Sequence, residues 1–241
     1  MGEDKEKLVF QTYEKRAEQL IDKGYRNEVW YIGNKLLSDW TLLSRLDLTD
    51  KRVLNVGCSE PIDEMFWIRK VKEWVAVDYS PKSIEVAKKI VKNELSEKLV
   101  RKIRFQIADA TNLPFKNESF DIVMAFSTIE HIPDEKDREK AIKEMVRVTK
   151  KGGYLVITVP NKLNYFCYRE HRKLINSGKS DFGYEYFYTP WELRRRLTKN
   201  GLHVLYFGSE LRLVGYPPSV FGTLNRLICY FGSRIGYVAQ R

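Results

Sequence analysis

Val53-Leu54-Asn55-Val56-Gly57-Cys58, then Trp74-Val75-Ala76-Val77-Asp78, then Ile103-Arg104-Phe105-Gln106-Ile107 with Asp109-Ala110 behind it: these three stretches decide the fold. Each is a short apolar run, and the first two end on a glycine and an aspartate. After the second, Ser80-Pro81 supplies an N-cap and a proline at the first helical position. In the helix that follows, Ile84, Ala87, Val91 and Leu95 fall on one stripe. Apolar runs of four to six residues separated by amphipathic helices predict a parallel sheet covered on both faces.

The alternation continues outward. Residues 120–126 read as a fourth strand. A helix over 137–150 places Ile142, Met145, Val146 and Thr149 on one face, and Gly152-Gly153 stops it. Residues 154–159 then make a fifth strand ended by Pro160. Thr189-Pro190-Trp191-Glu192 reads as a capping box whose helix closes at Gly201. Residues 202–207 give a sixth strand, 220–231 an apolar helix, and 235–240 the last strand. Ahead of the sheet, residues 5–46 read as helical, interrupted at Gly24 and Gly33. The expected organisation is one α/β domain over 1–241, doubly wound. It has an N-terminal helical cap over 1–50, a core over 51–160, an insertion over 161–189 and completion of the sheet over 190–241.

Composition narrows the class. With 43% hydrophobic and 31% charged residues, the chain is an ordinary globular protein. No window approaches the roughly 18 uninterrupted apolar residues of a membrane span. The charged opening Met1-Gly2-Glu3-Asp4-Lys5 has no apolar run behind it, and Glu6 stands where a myristoylation motif needs Ser or Thr. Cys58, Cys167 and Cys229 are far apart and odd in number, which argues for a reducing compartment, the cytoplasm, and against a disulfide framework or a zinc site. The net charge of +10 is uneven: residues 161–241 hold 13 Lys or Arg against 5 Asp or Glu, with 16 of the 31 aromatic residues. That third is either a surface for something anionic, flat or greasy, or a plainly solvated one.

The chemistry-bearing residues follow the strands, where a doubly wound sheet binds ligands. Gly57 lets backbone approach a nucleotide closely. Asp78, closing the second strand, suits the two hydroxyls of a ribose, and Asp109 after the third suits an exocyclic amine such as that of adenine. A dinucleotide site needs Gly-x-Gly-x-x-Gly, and here only Gly57 is present; no phosphate-binding Gly-x-x-x-x-Gly-Lys exists either. The pattern fits a nucleoside without phosphates.

With these residues in place, the sequence resembles the class I SAM-dependent methyltransferases, particularly the small-molecule branch. The likeness runs from Val53-Leu54-Asn55-Val56-Gly57-Cys58 through Val75-Ala76-Val77-Asp78-Tyr79-Ser80 and Asp109-Ala110-Thr111-Asn112-Leu113-Pro114-Phe115. It continues in Ser119-Phe120-Asp121-Ile122-Val123 and Ile129-Glu130-His131-Ile132, and ends at Glu144 to Gly153. The resemblance implies a seven-stranded, Rossmann-like sheet with only the last strand antiparallel, S-adenosyl-L-methionine as cofactor and S-adenosylhomocysteine as product. It implies that Asn55, Gly57 and Cys58 line the methionine portion, Asp78 the ribose, Asp109 and Ala110 the adenine, and Phe126 and Ser127 the sulfonium, with Tyr79 also in the cofactor site. The chain departs from the family where Asn55 replaces an acidic residue, and where Ser59 and Pro61 replace glycines.

Methyl transfer by in-line displacement needs alignment first and a general base only for a weakly acidic hydroxyl or a protonated amine. His131, after the fourth strand, is the candidate catalytic base; a structural histidine bonded to nearby backbone is the plainer reading. His171 is the second candidate, and His203 sits within a strand. The expected acceptor is a small molecule, with anionic and lipid-linked compounds both open. It would be held by the N-terminal helices and by residues of 161–189 such as Tyr165, Tyr168, Arg169, Arg172, Tyr184 and Tyr186. The alternatives are an RNA methyltransferase using the basic, aromatic last third, with peripheral membrane contact also open, or a non-catalytic SAM-binding relative.

Overall fold

The computed structural model describes residues 2–23, 39–180, 183–209 and 230–241, with the side chains of 2, 3, 6 and 16–23 left aside. Along the chain the elements are α1 (Gly2–Lys23), α2 (Asp39–Leu43), β1 (Arg52–Val56), α3 (Ile62–Trp67), β2 (Glu73–Asp78), α4 (Pro81–Glu94), α5 (Glu97–Val100), β3 (Ile103–Ile107) and β4 (Phe120–Phe126). A 3-10 turn (Ile129–His131) leads to α6 (Glu135–Val148), β5 (Thr149–Pro160), α7 (Tyr165–Asn176), α8 (Pro190–Lys199), β6 (His203–Ser209) and β7 (Arg234–Gln240). The strands form one seven-stranded sheet in the order β3-β2-β1-β4-β5-β7-β6. β7 runs antiparallel to β5 and β6, as the family resemblance implied.

Side chains alternate across the strands and feed two cores. Leu54, Val56, Val75 and Val77 face Ile142 and Met145 of α6 and Leu193 and Leu197 of α8. Val53, Trp74, Ala76 and Met124 face Trp40 and Leu43 of α2 and Ile84 and Val91 of α4. Truncating a fully buried member such as Leu54 to alanine removes about 2–5 kcal/mol.

Two boundaries differ from the sequence reading. α6 begins before residue 137 because the Asp134 carboxylate accepts from the backbone N–H groups of Lys136 and Asp137. It ends before Gly152-Gly153 because Thr149 is already extended and pairs with Phe120. The two glycines therefore lie inside β5, beside a register shift between Phe120 and Ile122. Gly152 has φ +75°, and a side chain at Gly153 would run into the carbonyl of Asp121. The cap at Ser80 is as expected, Oγ accepting from the Ser83 N–H at 2.9 Å, but only half of the box at 189–192 forms: Thr189 Oγ1 accepts from the Glu192 N–H at 3.3 Å, while Glu192 Oε1 accepts from Tyr186 and Arg196. The segment 161–189 contains a helix, α7, that the apolar pattern did not announce; none of its residues is fully buried. The expected breaks at Gly24 and Gly33 and most of the helix over 220–231 lie outside the described residues.

β1 sits between β2 and β4, so the chain leaves it in one direction for β2 and returns on its other side for β4. That switch point opens a crevice at the carboxyl ends of the parallel strands.

Candidate active site

One cavity of about 890 Å³ fills this crevice, and Asn55, Gly57, Cys58, Asp78, Tyr79, Asp109, Ala110, Phe126, Ser127 and His131 all lie on its wall. The last residue of β2, Asp78, is buried there; its Oδ2 accepts from the Ser59 N–H at 2.8 Å and its Oδ1 from the Ser80 N–H at 2.9 Å. Burial pushes this carboxyl above its usual range, against the pull of those N–H groups. A carboxylate has about four lone-pair sites, so capacity for a ribose diol is left. Asp109 turns back on its own loop, accepting from the N–H and hydroxyl of Thr111 at 2.7 and 2.9 Å. Cys58 is buried, and burial raises its thiol well above the ordinary range, which removes it as a nucleophile.

The loop after β1 explains the departures at 55 and 59. Asn55 Nδ2 donates to Glu64 Oε1 at 2.8 Å, and Trp74 Nε1 donates to the same oxygen at 2.9 Å. Asn55 thus spends its amide on a buried carboxylate from α3. Ser59 has φ +41° and Gly57 φ +74°. Ser59 therefore keeps a left-handed backbone of the kind glycine adopts freely, and its N–H is the one that reaches Asp78. At Gly57 a β-carbon would overlap the Thr128 side chain, whose hydroxyl donates to the Val56 carbonyl at 2.9 Å.

The roof comes from an N-terminal helix, as the sequence suggested, though its particular residues were not named there. Val9, Phe10 and Tyr13 of α1 line the same cavity. The Phe10 ring meets Tyr79 edge-on at 5.5 Å between centroids, and Tyr13 meets His131 at 5.3 Å. Glu14 fastens the helix by accepting from the Ser80 hydroxyl and from the Lys82 N–H at the start of α4.

The far end of the cavity is polar. His131 Nδ1 lies 3.0 Å from the Tyr184 carbonyl, and His171 Nδ1 lies 2.9 Å from Glu185 Oε2. Glu130, Glu185 and Arg234 share this wall with Cys167 and Phe187. Of the residues expected from 161–189, Tyr165, Tyr168, Arg169, Arg172, Tyr184 and Tyr186 are not on the wall. Tyr165, Arg169 and Arg172 face solvent, Tyr168 packs on Phe187, Tyr184 lies under the Lys5 ammonium, and the Tyr186 hydroxyl donates to Glu192. His203 is exposed on β6. Arg234 had no motif around it, and Glu130 stood unremarked beside the candidate base.

With this geometry in view, residues 54–157 match the model of a methyltransferase domain. Methyltransferase GfsG of Streptomyces halstedii is 36% identical over 118 residues, covering 48% of this chain and 40% of that protein. A tRNA (carboxymethyluridine(34)-5-O)-methyltransferase of Arabidopsis thaliana is 45% identical over 53 residues, covering 22% and 13%. The chain thus spans less than half the length of either relative. Among solved structures, a methyltransferase in complex with the Haloferax volcanii Trm112 activator superposes with a TM-score of 0.68 at 17% identity, over 95% of this chain and 96% of that one. A SAM-dependent methyltransferase of Thermotoga maritima gives 0.62 at 22% identity, over 96% and 99%. At these identities the structures speak for the fold alone.

Proposed function

We propose that this chain, a class I SAM-dependent methyltransferase over residues 54–157, methylates a small molecule held beneath α1, with His131 as the proton acceptor. The observation that carries the proposal is that one roofed cavity runs from Asp78 and Asp109 at the strand ends to His131 and Glu185. The residues present fit the cofactor: a buried carboxylate at the end of β2, a glycine turn against it, and no phosphate cradle. Bound there, SAM supplies a methyl group already activated by its sulfonium.

The chain's own residues then do three things. Asp78 and the backbone around Ser59 and Ala110 fix the nucleoside. Phe10, Tyr13 and Tyr79 exclude water and narrow the approach. A carbonyl only accepts, so the Tyr184 oxygen draws the proton of His131 onto Nδ1 and leaves the Nε2 lone pair to receive the acceptor's proton.

A second reading rests on the solvated face of α7, where Arg169, Arg172 and Lys173 are exposed beside Tyr165 and Phe166, a surface that suits a polyanion such as RNA. Calorimetry with SAM and S-adenosylhomocysteine tests the shared premise, and no binding at millimolar ligand would sink both. Labelled SAM offered with a small-molecule and lipid extract, and separately with bulk RNA, separates them: label in the small-molecule fraction supports the first reading, and salt-sensitive label in RNA supports the second.

A further inference from the structure

Three side chains on the cavity wall, Arg234, His171 and Glu130, have no part in the methyl transfer described above. Arg234, the first residue of β7, donates to Thr158 Oγ1 at 3.1 Å and stands 3.6 Å from Asp39 Oδ1, which in turn accepts from that same hydroxyl at 2.8 Å. The guanidinium is thus steered by residues from β5 and α2 while it lines the cavity. On α7, His171 is steered in the same way by Glu185, leaving Nε2 without a partner among the described residues. Glu130 is 1% exposed, lies on the same wall, and its Oε2 has no hydrogen-bond partner among the described residues.

We propose that Arg234, His171 and Glu130 form a subsite for a carboxylate carried by the methyl acceptor. The inference rests on the small-molecule reading above. Its first support is charge. Burial would raise Glu185, but its hydrogen bond from His171, with His131 and Arg234 nearby, holds it below the usual range. Glu185 in turn lifts His171 above the ordinary imidazole value. Burial holds Glu130 neutral up to about pH 8 even with Arg234 near it. The wall therefore offers the Arg234 guanidinium, the His171 imidazole and a carboxylic acid whose O–H can donate, groups that suit an acceptor's carboxylate, while the guanidinium disfavours an ammonium group.

The second support is geometry. A carboxylate accepts two parallel bonds from a guanidinium, and each cation here already has a partner fixing its orientation, so little freedom is lost on binding. Such an anchor includes Glu130, the residue before His131, and shares the cavity wall with it. It holds one end of the acceptor while the other end faces the cofactor half.

The test uses the whole chain and three fragments of one shape: benzoate, benzamide and benzylamine, titrated calorimetrically with and without saturating S-adenosylhomocysteine. Benzoate is expected to bind at least about tenfold more tightly than benzamide, since a charge-assisted pair is worth about 1.5–3 kcal/mol. Arg234→Gln should erase that preference and leave the affinity for S-adenosylhomocysteine unchanged. Should that variant fail to fold, His171→Gln, on a half-exposed helix, should reduce the preference about threefold or more. Equal binding of benzoate and benzamide, tighter binding of benzylamine, or a preference that survives in a folded variant overturns the subsite. A chain that ignores S-adenosylhomocysteine yet prefers benzoate keeps the subsite and loses the methyl-transfer reading.

Discussion

His131 Nδ1 lies 3.0 Å from the carbonyl oxygen of Tyr184, and the next residue, Glu185, holds His171. Two consecutive residues of the connection into α8 therefore set both imidazoles on the cavity wall. The same connection is tied at Tyr186, whose N–H donates to the Glu130 carbonyl at 2.8 Å.

If His131 Nε2 takes the acceptor's proton, His131→Ala should lower turnover by about 10²–10⁴-fold while S-adenosylhomocysteine binds as before. The pH–rate profile of the variant should lose the acidic limb that the proton acceptor gives it. Unchanged turnover would return His131 to a purely structural role.

Restoring the family's acidic residue at position 55 should harm this protein. Asn55→Asp sets a second carboxylate about one hydrogen bond from Glu64, where the amide now donates. A buried pair of like charges in place of a hydrogen bond costs about 3 kcal/mol. For a chain of this size that lowers the melting temperature by about 6–12 °C. SAM affinity should not improve, and a tighter SAM complex at unchanged melting temperature would refute the assignment.

Two neighbouring positions should respond in opposite directions. Ser59→Gly removes the cost of a left-handed residue, about 1 kcal/mol, and should raise the melting temperature by about 2–4 °C. Gly57→Ala, at φ +74° against Thr128, should lower it and weaken SAM binding at least about tenfold. Thermal melts and calorimetry on the two variants read both effects.

Glu130 should imprint a pH dependence on stability. Its carboxyl titrates near 8 in the folded chain and near 4.5 when unfolded. Between those values unfolding releases a proton, so stability falls as pH rises through the window. Glu130→Gln stays neutral and lacks this slope. Its melting temperature relative to the natural chain should climb by at least about 4 °C between pH 5 and pH 8.5. A constant difference across that range would mean that Glu130 is ionised in the fold.

Much of this is readable in the sequence. The strand ends at Gly57, Asp78 and Asp109 meet on one wall because parallel strands finish at one edge of the sheet, so register in the sequence becomes proximity in space. Helix boundaries were less readable: Asp134 caps α6 ahead of the apolar stripe, and the glycine pair at 152 and 153 serves a bulge, where sequence alone reads a stop. Least readable was the acceptor end. Amphipathic spacing marks α1 as a helix but says nothing of what its Phe10 and Tyr13 cover. Nothing local links Arg234 to Asp39, or Asn55 to a carboxylate on the next helix, since those bonds exist only once the sheet closes.

The position of β7 between β5 and β6 brings the first residue of the last strand to the cavity wall. The wall proposed to face the nucleoside comes from one stretch of chain, from Asn55 to Ala110. The opposite wall is pooled from α1, the turn after β4, α7 and the first residue of β7. Under the proposed function, Arg234, His171 or the roof helix can therefore be exchanged without touching the stretch from Asn55 to Ala110.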